Sequence, residues 1–323
     1  MDRRQQIADV VRNVGVEAPV IAVEPLTGGV SSDIFRVETE GRTLCVKFAI
    51  DQLRVANLWL ASVERSAADH AWLAFVGSAF PAYVPPLIGF DANNHAIVMG
   101  YLPPGEHPVW KTRLLAGESD AGFAAKVGSR LAAIHSRSAA TPALLERFAN
   151  AADFAALRLD PYLRFTAWRH PEFAEALETL ADDIAGTRIA LVHGDISPKN
   201  ILCGADGPVF IDAECATYGD PAFDIAFCLN HLLIKAIVFP AFRERHEASA
   251  QALWHAYRAA ADWEPAVALH ARVARILPAL MLARVDGKSP LEYLDSQSAE
   301  RVRGIACAAL RGETELLAGG VLQ

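Results

Sequence analysis

The sequence predicts a mixed α+β fold with two lobes, a small N-terminal lobe built on an antiparallel sheet and a larger helical C-terminal lobe. Three observations predict this fold. Strand-like patterns dominate the first hundred residues, helical periodicity dominates the rest, and one strand-like island at residues 188–214 interrupts the helices. Pro103 and Pro104 end the last N-terminal strand, so we divide the chain into residues 1–101 and 102–323.

The N-terminal elements follow from β-forming runs separated by turns. The runs "VIAVEPL" and "IFRVET" flank the glycine-rich "TGGVSSD", and "RTLCVKFA" returns after a Glu-Gly turn, which predicts an antiparallel meander. Helical spacing then continues through "VERSAADHAWLAFVG", and Gly77 is the expected end of that helix. A further strand, "HAIVMGYL", leads to the prolines.

The C-terminal half is predicted to be mostly helical. Apolar stripes recur in "AGFAAKVGSRLAAIHS", between residues 171 and 185, and from residue 248 onward. Inside the island, "NILC", the turn "GADG" and "VFIDAE" predict a hairpin. This hairpin brings Asn200 and Asp212 to the same end, beside Asp195.

Composition excludes several classes of protein. The chain has 323 residues, of which 52% are apolar, and carries a net charge of −8 without a basic stripe, so we do not expect nucleic acid as a partner. The start of the chain lacks the apolar core of a signal peptide. Polar and charged residues interrupt the most apolar segment, residues 222–242, so we expect a buried helix there and not a membrane span. We therefore expect a cytoplasmic protein with free cysteines.

The island also concentrates oxygen ligands beside apolar strands. Carboxylates in such surroundings need a partner, and Asp and Asn oxygens are the ligands that Mg²⁺ takes, usually together with substrate phosphates. Asp195, Asn200 and Asp212 are the candidate residues, and Glu214 follows two positions later. The sequence thus favours a metal as the missing partner.

The pattern His-Gly-Asp-x-x-x-x-Asn, followed about a dozen residues later by Ile-Asp, resembles the catalytic and metal loops of protein-kinase-like small-molecule phosphotransferases. That group includes the aminoglycoside phosphotransferases, choline kinases and methylthioribose kinases. The resemblance implies a two-lobed protein-kinase-like fold and the transfer of a phosphoryl group from ATP, with Mg²⁺, to a hydroxyl of a small molecule.

The resemblance also implies roles for the residues of the island. Asp195 would accept the proton of the acceptor hydroxyl, while Asn200 and Asp212 would hold Mg²⁺. The sequence Asp-Ala-Glu is similar to the Asp-x-Glu of methylthioribose kinases, in which the glutamate, here Glu214, can also approach a metal. Structural support is expected from two further residues, His193 and Asp224.

For the nucleotide, Lys47 in "LCVKFA" is similar to the kinase lysine that contacts the α- and β-phosphates. Its carboxylate partner is expected from the next helix, with Asp69 matching the family pattern and Glu64 as the alternative. The remaining ATP contacts are expected from the glycine-rich loop and from the strand that ends at the prolines: Gly28, Gly29, Ser31, Met99, Gly100, Tyr101 and Leu102.

For the acceptor, two basic clusters are candidates because Lys and Arg suit anionic or hydroxyl-rich molecules. One includes Trp110, and the other includes Arg284 and Lys288. The Asp-Ala-Glu motif favours a methylthioribose-like sugar as the acceptor, and an aminoglycoside is the alternative. A nucleotide-binding pseudokinase module is the alternative from another class. The oligomeric state is left open.

Overall fold

The computed structural model describes residues 2–27, 31–52, 54 and 61–317. Helix α1 (Arg3–Asn13) precedes an antiparallel five-stranded sheet with the strand order β1-β2-β3-β5-β4. Helix α2 (Arg65–Ala79) is inserted between β3 and β4. The strands of the sheet are β1 (Val20–Leu26), β2 (Ser32–Thr39), β3 (Arg42–Ala49), β4 (Leu87–Asp91) and β5 (Ala96–Gly100).

Beyond the sheet the chain is mostly helical, in agreement with the predicted fold class. The helices are α3 (Trp110–Leu115), α4 (Ala121–Ala139), α5 (Leu144–Arg147), α6 (Ala151–Phe154), α7 (Phe165–Arg169), α8 (Ala174–Gly186), α9 (Pro221–Val238), α10 (Arg243–Ala260), α11 (Ala266–Asp286) and α12 (Ser296–Leu310). A π-helix (Ala155–Arg164) joins α6 to α7. Two short antiparallel pairs complete the fold: β6 (Ala190–Val192) with β9 (Thr217–Gly219), and β7 (Ile201–Gly204) with β8 (Gly207–Phe210).

Two apolar clusters hold these elements together. The smaller cluster packs α1 against one face of the sheet, through residues such as Ile7, Val10 and Val46. The larger cluster is continuous from α2 through the C-terminal helices, and includes Trp72 and Phe227. Because α2 belongs to the larger core, the sheet is tied to the helices through this element.

Several predicted elements agree with the structure, and some were missed. The three-stranded meander and the island hairpin are confirmed, the latter with Ile201 opposite Phe210. The predicted buried helix is α9, and 94% of it is buried inside the fold. By length and composition alone, α9 and α11 are long and apolar enough to cross a membrane. Helix α2 continues to Ala79, so Gly77 does not end it. The sequence reasoning did not identify α1, β4 or the π-helix.

Candidate active site

A cavity of about 500 Å³ lies between the sheet and the helices. Its wall contains the end of β5, Lys47 on β3, Asp69 on α2, and the island residues Asp195 and Asp212. The cavity therefore brings together residues that are far apart in the chain, such as Lys47 and Asp212, which are 165 positions apart. It continues past Asp195 toward residues of the π-helix and the segment after α11.

Lys47 lies at the centre of a carboxylate cluster. Its ammonium is 2.7 Å from Asp69 and 2.8 Å from Glu214, and it also pairs with Asp212. Burial alone would lower the pKa of Lys47. These carboxylates nevertheless hold that pKa well above its ordinary value. The structure thus pairs Asp69 with Lys47, whereas Glu64 is mostly exposed and lies 3.9 Å from His95.

Asp69 also fixes the backbone that follows Asp212. One carboxylate oxygen pairs with Lys47, and the other accepts the N–H of Ala213 at 2.9 Å. Helix α2 therefore sets the position of both Lys47 and Asp212 through one side chain. Asp212 itself has a left-handed backbone with φ of +69°, a conformation that a non-glycine residue adopts at a cost and that often marks a functional site.

Glu214 has partners that the sequence reasoning did not anticipate. One of its oxygens accepts the hydroxyl of Ser32 at 2.5 Å and pairs with Lys47, and the other is 2.8 Å from the Arg65 guanidinium. Against the effect of burial, Lys47 and Arg65 lower the pKa of Glu214. We expected Glu214 to be a metal ligand, but both oxygens are engaged by protein groups. Its observed contacts connect the island to β2 and α2.

Asp195 is buried and held by two cations on the same oxygen. Its Oδ2 is 3.0 Å from the Arg158 guanidinium and 3.1 Å from the Lys199 ammonium. Burial acts to raise the pKa of Asp195, but Lys199 and Arg158 hold it below the ordinary value, so the carboxylate is ionised at neutral pH. Within the described residues, Oδ1 has no hydrogen-bond partner and can accept one from a ligand.

The loop that carries Asp195 is braced from α9. Asp224 accepts the backbone N–H groups of His193 and Gly194 at 2.7 and 2.8 Å, and lies 3.3 Å from the His135 ring. Gly194 has φ of +78°, and a Cβ there would lie 2.6 Å from the carbonyl oxygen of Cys215, so only glycine fits. The loop is thereby held in one conformation.

His193 is fully buried, and its two ring nitrogens have distinct partners. Nε2 lies 3.1 Å from the carbonyl oxygen of Ile211, and Nδ1 lies 3.2 Å from the backbone N–H of Asp195. Because burial lowers the pKa of His193, the ring is neutral, with Nε2 donating and Nδ1 accepting. These contacts are structural, and they connect the segments after β6 and β8 that carry Asp195 and Asp212.

Asn200 and Asp212 are suitable residues for a divalent cation. The backbone carbonyl of Asn200 accepts the N–H of Ile211, which sets Asn200 beside Asp212, and the Asn200 side-chain NH₂ donates to the Asp195 carbonyl. This bond orients the amide and leaves its oxygen available. An amide oxygen and a carboxylate are a hard donor set that fits Mg²⁺. A tight acidic group of Asp69, Asp212 and Glu214 also lies here, but the Lys47 ammonium occupies its centre.

The end of β5 provides an edge for a planar base. Met99, Gly100, Tyr101 and Leu102 all line the cavity. The N–H groups of Gly100 and Tyr101 donate to the carbonyls of Pro86 and Thr43. Within the part of the chain that is described, the Leu102 N–H has no partner, so it is the donor available to a ligand.

The remaining predicted site residues differ in where the structure places them. Gly28 and Gly29 fall outside the described residues, whereas Ser31 lines the cavity. Trp110 was expected at the acceptor, but it is 1% exposed and packs edge-on against Phe123 at 5.4 Å, so it is a core residue. Lys288 is exposed, and its neighbour Ser289 lines the cavity instead.

Three cationic residues of the site were missed by the sequence reasoning. Lys199 lies inside the recognised loop, four residues after Asp195, so its spacing was a usable signal. Arg65 and Arg158 gave no such signal, because each meets its carboxylate only through the tertiary fold.

Comparison with known proteins is consistent with this geometry. A family model described as "Phosphotransferase enzyme family" matches residues 22–269. The methylthioribose kinase of Pectobacterium carotovorum is 24% identical over 288 residues, covering 76% of this chain and 70% of that protein. The methylthioribose kinase of Erwinia tasmaniensis is 26% identical over 274 residues, covering 73% of this chain and 66% of that protein.

Solved structures show the same fold at low sequence identity. Choline kinase from Cryptosporidium parvum superimposes with a TM-score of 0.57 at 11% identity, covering 99% of this chain and 98% of its own. A structure described as the GDP and kanamycin complex of APH(2")-IIia has a TM-score of 0.53 at 13% identity, covering 95% and 99%. The predicted kinase-like α+β fold is therefore confirmed.

Proposed function

The chain belongs to the phosphotransferase enzyme family, and from that premise we propose that it is an ATP-dependent small-molecule kinase. It transfers the γ-phosphoryl group of ATP to a hydroxyl of a small metabolite in the cytoplasm. The observation that carries this proposal is one continuous cavity with Lys47 in a carboxylate cluster on its wall. The wall also presents an oxygen of Asp195 and the Leu102 N–H, neither of which has a partner among the described residues.

In this proposal the residues act mainly by positioning. The Leu102 N–H and the Gly100–Tyr101 backbone hold the base, while Ser31 and the glycine-rich loop, Gly28 and Gly29, cover the phosphates. Lys47, fixed by Asp69, contacts the phosphates. Mg²⁺, held by Asn200 and Asp212, would neutralise the negative charge of the phosphates.

Asp195 is the proposed catalytic residue. Its Oδ2 is anchored by Arg158 and Lys199, so Oδ1 is fixed in direction and accepts the hydroxyl hydrogen of the acceptor. A carboxylate with a lowered pKa is a weak base. It therefore orients the hydroxyl and takes its proton as the bond to phosphorus forms, as the loose transition state of phosphoryl transfer requires.

The curated relatives favour a sugar of the methylthioribose kind as the acceptor. An aminoglycoside, the alternative, is polycationic and fits poorly beside Arg158 and Lys199. A nucleotide-binding module without transferase activity is the alternative from another class.

Replacing Asp195 tests the proposal. In Asp195→Asn, kcat with any accepted hydroxyl compound is expected to fall by ~10²–10⁴-fold, while the Kd of a non-hydrolysable ATP analogue with Mg²⁺ stays unchanged. Asp160→Asn, at an exposed carboxylate paired with Arg164, is the matched control. Wild-type turnover in Asp195→Asn would refute the role of Asp195. Nucleotide binding by the wild type without turnover of any pooled acceptor would favour the binding module.

A further inference from the structure

The far end of the cavity contains more positive than negative charge. Arg158 and Lys199 line the wall there and share the single carboxylate Asp195. Two more buried cations, Arg284 and Lys235, lie behind this wall, 8% and 1% exposed. Within the described ranges neither has a carboxylate within salt-bridge distance.

Arg284 is directly connected to the cavity wall. Its Nη1 donates to the hydroxyl of Tyr162 at 3.0 Å and to the carbonyl and hydroxyl of Ser289 at 2.5 and 3.2 Å. Both of these partners line the cavity. The Nε of Arg284 is buried without any hydrogen-bond partner among the described residues. A buried guanidinium donor without a partner is costly, so Arg284 is an incompletely compensated positive charge directly behind the wall formed by Tyr162 and Ser289.

Lys235 lies on the buried helix α9. Among the described residues its ammonium contacts neutral groups, the Tyr293 hydroxyl at 3.1 Å, the His231 carbonyl at 3.4 Å and the face of the Tyr293 ring. The ring of His231 lies in the field of Arg284, Lys235 and Lys199, which together with burial lowers the pKa of His231. The positive charges of these three residues therefore act together at the His231 ring. A nearby fourth cation, Lys111, already has a carboxylate partner in Glu292.

Burying a cation without a counter-charge is strongly unfavourable, and such groups are retained where a ligand supplies the opposite charge. Here Arg284 lies directly behind the acceptor end of the cavity, and Lys235, whose pKa is lowered to about 7, becomes fully protonated when an anion binds beside it. A neutral sugar leaves this charge uncompensated, and a cationic acceptor increases the repulsion.

We propose that the acceptor carries an anionic group, a carboxylate or a phosphate, in addition to the hydroxyl that is phosphorylated. This group lies at the end of the cavity bounded by Tyr162 and Ser289. Arg284 and Lys235 balance its charge. The proposal rests on the proposed kinase function, and for the same site it replaces the neutral methylthioribose-like sugar favoured by the relatives with an anionic acceptor.

The test compares matched probes that differ in charge. The anionic probes are D-glycerate, D-gluconate and ribose 5-phosphate, the neutral probes are glycerol, D-glucitol and D-ribose, and the cationic probes are choline and kanamycin; methylthioribose is included as a neutral sugar. Each is tested at constant ionic strength for phosphorylation by ATP and for its effect on the melting temperature of the protein. Carboxylates and phosphates form separate arms, so the test distinguishes the two groups.

The variants are Arg284→Gln and Lys235→Met, with Arg275→Gln, at an exposed arginine paired with Asp183, as the matched control. An anionic probe is expected to be phosphorylated and to raise the melting temperature, with KM raised roughly 10–100-fold in both variants and unchanged in Arg275→Gln. If Arg284→Gln fails to fold, Lys235→Met still tests the proposal, because removing an unpaired buried charge does not destabilise the core.

The outcomes separate the two proposals. Stabilisation by anions that is lost in the variants, without turnover of any probe, supports the anionic site and counts against the kinase function. Equal or better turnover of a neutral or cationic probe overturns the anionic acceptor and leaves the kinase function standing. The absence of any effect of the anionic probes on melting temperature or turnover also overturns it.

Discussion

Lys235 provides a stability prediction whose magnitude follows from its burial. Burial and the neighbouring Lys111 and Arg284 lower the pKa of Lys235 from 10.5 to about 7, against the opposite effect of Glu292. The other titratable groups that act on it are His231, whose lowered pKa keeps it neutral above pH 7, and Tyr293 and Cys228, whose pKa values are raised by burial so that both stay protonated and neutral. The folded protein therefore binds one proton fewer than the unfolded chain between pH 7 and pH 10.

The sign follows from linkage. Because the unfolded chain binds more protons in this interval, the free energy of unfolding rises with pH on account of Lys235. Both states carry a neutral amine far above pH 10.5, where the cost vanishes. With ~1.4 kcal/mol per pKa unit, the cost of Lys235 to the folded state is about 4 kcal/mol at pH 7 and about 2 kcal/mol at pH 9.

The variant Lys235→Met removes this cost while keeping a side chain of similar length. We expect the variant to be more stable than the wild type, by about 4 kcal/mol at pH 7 and about 2 kcal/mol at pH 9. Urea unfolding curves at several pH values measure the difference, and the m-value reports whether the unfolded state has changed. Lys126→Met, at an exposed lysine, should stay within about 0.5 kcal/mol of the wild type. A pH-independent difference between Lys235→Met and the wild type would refute the reasoning.

Two further predictions concern the site and its surroundings. Asp69→Asn should raise the Kd of the ATP analogue roughly 10-fold, because Lys47 loses one of its three carboxylate partners. The control Glu64→Gln should leave this Kd unchanged. Equal effects of the two variants in a fluorescence titration would contradict the pairing of Lys47 with Asp69. Trp110→Phe should lower the free energy of unfolding by about 1–3 kcal/mol through loss of buried volume, without changing KM for the acceptor. A change in KM for the acceptor without a change in the free energy of unfolding would show that Trp110 acts in the acceptor pocket.

The sequence predicted those site residues that lie close to one another along the chain. Asp195, Asn200 and Asp212 lie on one loop and one hairpin, so alternation and turn residues were enough to bring them together. Lys47 could be identified because the short strand "LCVKFA" resembles the kinase strand that carries the phosphate-contacting lysine. For these residues, local structure determines position.

The remainder depends on contacts between distant segments. Arg65 meets Glu214 across 149 positions, and no periodicity in either segment encodes that pair. Arg158 reaches Asp195 from a π-helix, an element with no sequence pattern of its own that we could use. Trp110 was assigned to the acceptor because the basic residues next to it suggested an acceptor pocket, whereas the short helix α3 turns its indole into the core. Burial of a single side chain is decided by packing, which single-sequence patterns specify weakly.

The two ends of the cavity have opposite charge imbalances, and this contrast connects the two proposals. At the nucleotide end, three carboxylates face two cations, Lys47 and Arg65, and burial raises the pKa of Asp69 because the cations do not fully compensate it. At the acceptor end, the cations outnumber the carboxylates. In the two proposals a metal ion would offset the first imbalance and an anionic acceptor the second, so each proposed ligand would bind where its charge compensates an excess of charge in the protein.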